Sequence, residues 1–176
     1  MTNLAEPTDP IVRPATSADM PRLVRLGALL VEVHHAFDAQ RFLPTRPGLP
    51  ADYAGYLLRQ MDDPDVVVLV ADDGGDAVGY AYGVLEGYDY MALRGPAGLL
   101  HDIIVDPGYR RRGVGRRLLE AVIETMTARG APRLVLSTAA RNEAAQRLFA
   151  SVGFRPTMIE MTHELDAGGA DRDAAP

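Results

Sequence analysis

Cysteine is absent from this sequence of 176 residues, and so is lysine, all 18 lysine-or-arginine positions being arginine. Without cysteine there is no disulfide, no thiolate zinc site and no thiol nucleophile. Without lysine there is no lysine nucleophile, no Schiff base and no P-loop lysine. A metal would have to be held by His, Asp and Glu alone. The adjacent His34 and His35 point apart on a helix or strand and have no complementary ligand cluster, so no metal is expected. Long apolar runs are missing too. Stretches such as 66–71 fall far short of the roughly 20 helical residues that cross a bilayer, so no membrane contact is expected. Residues 1–10 carry Glu6 and Asp9 without an apolar core and basic flanks, which argues against a secretory signal and for a cytoplasmic protein. Overall positive charge is lacking, the net charge being −6, so no nucleic-acid partner is expected.

What is present fits one domain over residues 1–165, large enough to bury a core, followed by a small polar tail at 166–176 expected to be disordered. A short strand at 11–13 precedes Thr16, Ser17 and Asp19, whose oxygens can cap a helix from 18 to about 33. Prolines at 44, 47 and 50 break the next stretch before a second helix near 51–61. Strands follow at 66–71, 77–85 and 99–105, then a helix at 114–129, a strand at 133–138, a helix at 142–152 and a last strand at 157–165. The order β-α-α-β-β-β-α-β-α-β predicts an α/β fold. Its mixed sheet is antiparallel in the first half, carries flanking helices, and has one crossover that makes the fourth and fifth strands parallel.

Positive charge is dense in one place only, where Arg110, Arg111, Arg112, Arg116 and Arg117 surround Gly113 and Gly115 between a strand and a helix. Unpaired N–H groups and the positive dipole end of a starting helix can hold a diphosphate, and glycines keep bulky side chains out of its way. Taken separately, the glycines make a turn and the arginines a solvated face. Together, Arg110-x-x-Gly113-x-Gly115 after an apolar strand resembles the acetyl-CoA signature of the Gcn5-related N-acetyltransferase (GNAT) superfamily. The opening Ile11-Val12-Arg13-Pro14-Ala15-Thr16 with Asp19, and Asn142-Glu143-Ala144-Ala145-Gln146-Arg147-Leu148-Phe149 through Gly153-Phe154, are similar to two further stretches of that family.

The resemblance implies a GNAT fold whose fourth and fifth strands splay to admit the pantetheine arm of acetyl-CoA against Ile103, Ile104 and Val105. It implies that Arg110, Arg111, Arg112, Gly113, Val114, Gly115 and Arg116 grip the pyrophosphate, mainly by main-chain N–H groups, with Asn142, Ala145 and Phe149 framing the cleft. It also implies a primary-amine acceptor, direct transfer in a ternary complex, and a homodimer as common among such proteins. Asn142 serves equally well as a helix cap.

Acetyl transfer from a thioester needs a neutral amine, an oxyanion stabiliser and a means of protonating the departing thiolate. His101 is the candidate base, placed by period-two alternation on the face of Leu99, Ile103 and Val105, with Asp102 opposite. A packed core histidine is the competing reading. Glu86 is a second candidate base or amine anchor at the cleft mouth. Many family members place a tyrosine acid where this chain has Phe149, so Tyr80, Tyr82, Tyr88, Tyr90 or a water would have to serve, or the thiolate leaves unaided. That substitution also motivates an alternative function, an acyl-CoA-binding sensor or catalytically weak relative. Ser137 stands where some relatives carry a glutamate base. His34, His35, Asp38 and Arg41 fall where the family shapes its acceptor site, although a solvated helix end explains them as well.

Overall fold

The structure is a computed structural model, described here for residues 9–165; the tail expected at 166–176 lies outside the described residues. Five strands, β1 (Ile11–Pro14), β2 (Val66–Asp73), β3 (Asp76–Glu86), β4 (Ala97–Val105) and β5 (Leu134–Leu136), form one sheet in sequence order. β1 to β4 pair antiparallel and β4 pairs β5 in parallel, as the single crossover predicts. That crossover is the helix α3 (Val114–Ala128).

The continuous β-branched run of β2 is buried on both faces, because helices cover both sides of the sheet. Val66, Val68 and Val70 pack with Leu23 and Leu26 of α1 (Met20–Phe37), Leu57 of α2 (Leu49–Gln60) and Tyr80. Val67, Leu69 and Ala71 pack instead with Leu118, Leu119, Val122 and Met126 of α3 and Phe149 of α4 (Glu143–Ser151). Each apolar face of these strands and helices therefore has a partner, and the two layers share the sheet as a common wall.

Three departures from the expected elements bear on function. α1 runs to Phe37, one turn beyond the expected end, and so includes His34 and His35. Residues 157–165 form no strand, and Met158, Ile159 and Met161 stand exposed. Alternating apolar residues supply a strand pattern, but a strand also needs an edge to pair with, and β5 is only three residues long. The segment is instead held to the loop after α1 by an ion pair between Arg41 and Glu160.

A third departure concerns side-chain direction in β4. The register between β3 and β4 steps from Tyr82↔Asp102 to Gly83↔Leu100, leaving His101 as an extra residue. Such a bulge inverts the phase of alternation. Leu100 therefore packs on the α3 side whereas Ile104, of the same parity, packs on the α1 side. Gly83 makes the bulge possible, since a Cβ there would lie 2.7 Å from the Leu99 carbonyl oxygen.

The entrance to α1 is fixed electrostatically. Arg13 on β1 donates to both oxygens of Asp19 at 2.8 and 2.9 Å and to Asp72 at 2.7 Å. The Asp19 carboxylate, only 5% exposed, also receives the Thr16 N–H at 2.8 Å. Hydrogen bonding from Arg13 holds its pKa down to about 2, below the usual carboxylate range. A carboxylate lowered by folding stabilises the fold above its unfolded pKa, and that stabilisation fades as the pH falls toward the folded value. Asp19→Asn is expected to cost roughly 2 kcal/mol at pH 7 and much less near pH 2, as read by urea unfolding at both values. An equal cost at the two pH values would show that the ion pair is not its source.

Candidate active site

The end of β4 turns sharply into α3. Asp106 receives the Gly108 N–H on its side chain and the Tyr109 N–H on its carbonyl, both at 2.9 Å, closing a single 3₁₀ turn at Pro107–Tyr109. The Tyr109 hydroxyl donates to Asp73 at 2.6 Å, fastening this turn to the β2–β3 hairpin. The chain then passes through left-handed conformations at Arg111 (φ 62°) and Gly113 (φ 78°) before entering the helix. Arginine adopts such a conformation only at a cost, so the loop is held there by its surroundings. The result is a run of N–H groups at residues 111–116 that none of the described residues accepts, with the exposed Gly113 open around its Cα. Successive free N–H groups at a helix start form a concave donor set for an anion.

The arginines divide into distinct roles. Arg110 donates to the Val105 carbonyl at 3.2 Å, Arg116 to Glu120 at 2.8 Å, and Arg117 pairs with Asp9 at 3.0 Å. Arg112 lies 5.3 Å from the Tyr109 ring centre, and the exposed Arg111 has no described partner. Arg111 and Arg112 are thus the side chains free to turn toward an anion. Gly115 differs from Gly113 in its surroundings: a Cβ there would stand 3.4 Å from Leu148 and 3.7 Å from Val105, in ordinary contact with α4 and β4 rather than in the open.

β4 and β5 pair only at Gly98↔Leu134, Leu99↔Val135 and Leu100↔Leu136. From His101 to Val105 the edge of β4 that faces β5 has no described strand partner, because β5 ends at Leu136. The wedge between them holds a cavity of about 40 Å³. Leu100, His101 and Ile103 line it from β4, Ser137 and Thr138 from the end of β5, and Asn142, Ala145 and Phe149 from the start and body of α4. Asn142 also caps α4, accepting the Ala145 N–H at 3.1 Å, so the cap and the cleft position coincide. A larger recess of about 290 Å³ lies between α1 and the Pro107 turn, but its charges are mostly paired: Arg22 bonds Asp76, and Arg25 lies 3.9 Å from Asp106.

His101 reaches this cavity, though not on the face that alternation assigns to it. Its ring stacks on Tyr82 at 5.3 Å, and Asp102 accepts the Tyr80 hydroxyl at 3.3 Å, so the bulge turns both toward the side of α1 and α2. Desolvation lowers the His101 pKa and Glu86 opposes that shift, which favours a neutral imidazole near pH 7. Desolvation pushes Asp102 up to about 7. Glu86 itself is bound to Arg94 at 2.8 Å and lies outside the cavity lining.

The tyrosines fare less well as proton donors. Tyr80 is fully buried, Tyr82 bonds Tyr56 at 3.2 Å, and Tyr88 and Tyr90 stack on each other in solvent; none of the four lines the cavity. Phe149 is buried against Phe154. Sequence reasoning missed Thr138, and it named His34 only among residues that shape an acceptor site or end a solvated helix; both line the cavity. The extra turn of α1 that carries His34 there could have been anticipated from the regular spacing of Leu30, His34 and Phe37.

Among known proteins, residues 31–154 match the family described as Acetyltransferase (GNAT) family. The chain is 41% identical over 70 residues to a [ribosomal protein bS18]-alanine N-acetyltransferase of Salmonella typhimurium, covering 40% of this chain and 47% of that one, so it spans about half the length of that relative. It is 34% identical over 122 residues to the N-alpha-acetyltransferase RimI of Mycobacterium tuberculosis, covering 67% of this chain and 68% of that one. Its fold matches aminoglycoside N-acetyltransferase AAC(6')-Iy in complex with CoA with a TM-score of 0.70 at 19% identity, over 93% of this chain and 99% of that one.

The His101 environment has a direct test. By NMR titration its imidazole is expected to ionise below the ordinary histidine value, and Glu86→Gln should lower it further by removing the carboxylate that opposes the shift. A rise on that substitution would contradict the electrostatics described.

Proposed function

The chain belongs to the Acetyltransferase (GNAT) family, and on that premise we propose that it moves the acetyl group of acetyl-CoA to a primary amine by direct transfer in a ternary complex. The observation that carries the reading is the free N–H run at 111–116 placed at the open end of the β4–β5 wedge. A pyrophosphate would meet main-chain donors from Arg111 to Arg116, the helix dipole, and the unengaged side chains of Arg111 and Arg112. The outer edge of β4, with the N–H and carbonyl of Ile103 and the N–H of Val105, offers main-chain groups to the amides of a pantetheine arm, much as a sheet edge receives an added strand.

Bound acetyl-CoA supplies an activated acyl carbon and a sulfur leaving group. The chain supplies the rest. His101, kept neutral by its surroundings, accepts the proton released by the amine. N–H groups on the free edge of β4 face the acyl oxygen as negative charge develops. Phe149 cannot donate a proton, but the hydroxyls of Ser137 and Thr138 line the same space and can hydrogen-bond a departing thiolate, an anion that survives without immediate protonation more readily than an alkoxide. Glu86 acts through its field on His101 rather than as the base. A homodimer belongs to the same reading, supported by the apolar row Met158, Ile159 and Met161 that stands exposed among the described residues.

A second reading, an acyl-CoA sensor, is favoured by the burial of Phe149 in the core. A screen of amines with acetyl-CoA and free-thiol detection separates the two: thiol release that rises with an amine supports transfer, and tight CoA binding without release supports the sensor. Arg111→Glu, at an exposed side chain with no described partner, is expected to weaken CoA binding by about tenfold in calorimetry, with the loss shrinking as salt rises. Unchanged affinity would remove Arg111 from the pyrophosphate site.

A further inference from the structure

The additional turn of α1 brings His34 into the wedge between β4 and β5, where it lines the same cavity of about 40 Å³ as His101, Ser137 and Thr138. Its Nδ1 lies 2.8 Å from the carbonyl oxygen of Leu30, one helical turn back. A carbonyl oxygen only accepts, so Nδ1 carries the hydrogen. In the neutral ring the lone pair is then on Nε2, and no described residue donates to it.

The ring is held from several sides. Phe42 meets it edge-on at 5.0 Å and Phe37 at 6.4 Å. Arg141 donates to the Phe37 carbonyl at 3.0 Å, tying the end of α1 to the loop before α4 that closes the cleft. A half-buried imidazole with a fixed tautomer, a fixed plane and one unused acceptor at a small cavity is a receptor for an N–H donor.

We infer that His34 is a specificity-determining residue for the acceptor, its Nε2 accepting one N–H of a neutral primary amine while His101 accepts the other. The inference rests on the acetyltransferase reading above. With both N–H groups held from opposite walls of the wedge, the nitrogen lone pair is left to face the acyl carbon. The N–C bond forms as the C–S bond breaks, the sulfur leaves as thiolate with the bonding pair, and the nitrogen proton passes to His101. An amine arriving as ammonium must first lose one proton to solvent. A secondary amine has a single N–H to share between the two histidines and brings a second substituent into a space sized for a few waters. The site therefore selects unhindered primary amines.

The test uses the full chain. Imidazole ¹⁵N NMR of the wild-type protein should show His34 as the Nδ1–H tautomer, and the opposite tautomer overturns the inference. Turnover is then compared for the fastest primary amine of the screen and its N-methyl derivative, with CoA affinity measured alongside. His34→Phe keeps a ring between Phe37 and Phe42 but has no acceptor. It should lower kcat/KM for the primary amine about tenfold, leave CoA affinity unchanged, and narrow the preference over the N-methyl amine. His34→Gln, which retains an acceptor oxygen, should recover most of the rate. Wild-type turnover and preference in His34→Phe would overturn the inference while leaving the transfer reading intact. CoA binding without turnover on any amine in the wild-type protein would overturn both. If His34→Phe fails to fold, the tautomer and His34→Gln decide.

Discussion

A strand can share its edge with a neighbour or with a ligand, and β4 pairs with β5 only as far as Leu100, so the rest of that edge has no described strand partner. The bulge at His101 coincides with the last residue pair, and bulges bend a strand and raise its twist. Here the bend swings His101 and Asp102 to the side of α1 and α2, next to the point where β5 ends and only the β3 side of β4 remains paired. Gly83 on the neighbouring strand is the complementary feature, because any side chain there would collide with the Leu99 carbonyl.

The free N–H groups at 111–116 lie on the continuation of the same strand. Once β4 ends, the Asp106 turn and the Tyr109–Asp73 bond hold the chain tightly enough to keep Arg111 and Gly113 left-handed, and the N–H groups that follow are left without protein acceptors. Two unpaired backbone stretches, one along β4 and one around the start of α3, thus run end to end. An elongated ligand with amides at one end and a diphosphate further along fits that sequence of donors and acceptors. Side-chain charge refines the site without creating it, since Arg110, Arg116 and Arg117 are already engaged with protein groups.

Much of this was legible in the sequence. The two-sided burial of β2, the parallel partnership of β4 and β5 and the glycine turn ahead of α3 all follow from local pattern, because hydrophobic periodicity and glycine placement are read within a few residues. What escaped was decided by contacts distant in sequence. Period-two counting put His101 and Asp102 on opposite faces, and a bulge specified by the partner strand put them on one. Alternation in 157–165 suggested a strand for which the described residues provide no paired edge. His34 looked like a solvated helix end until α1 continued past it and Phe42 and Arg141 folded back over that turn. Asn142 was read both as a cap and as part of the cleft wall, and its position satisfies both.

The proposed receptor for a diphosphate is the set of free main-chain amides at residues 111–116. Titrating CoA into ¹⁵N-labelled protein tests it residue by residue. The amide signals of residues 111–116 should shift most, together with those of Ile103 to Val105, and inorganic pyrophosphate should move the first group without the second. CoA binding that leaves the amides of 111–116 in place would contradict it.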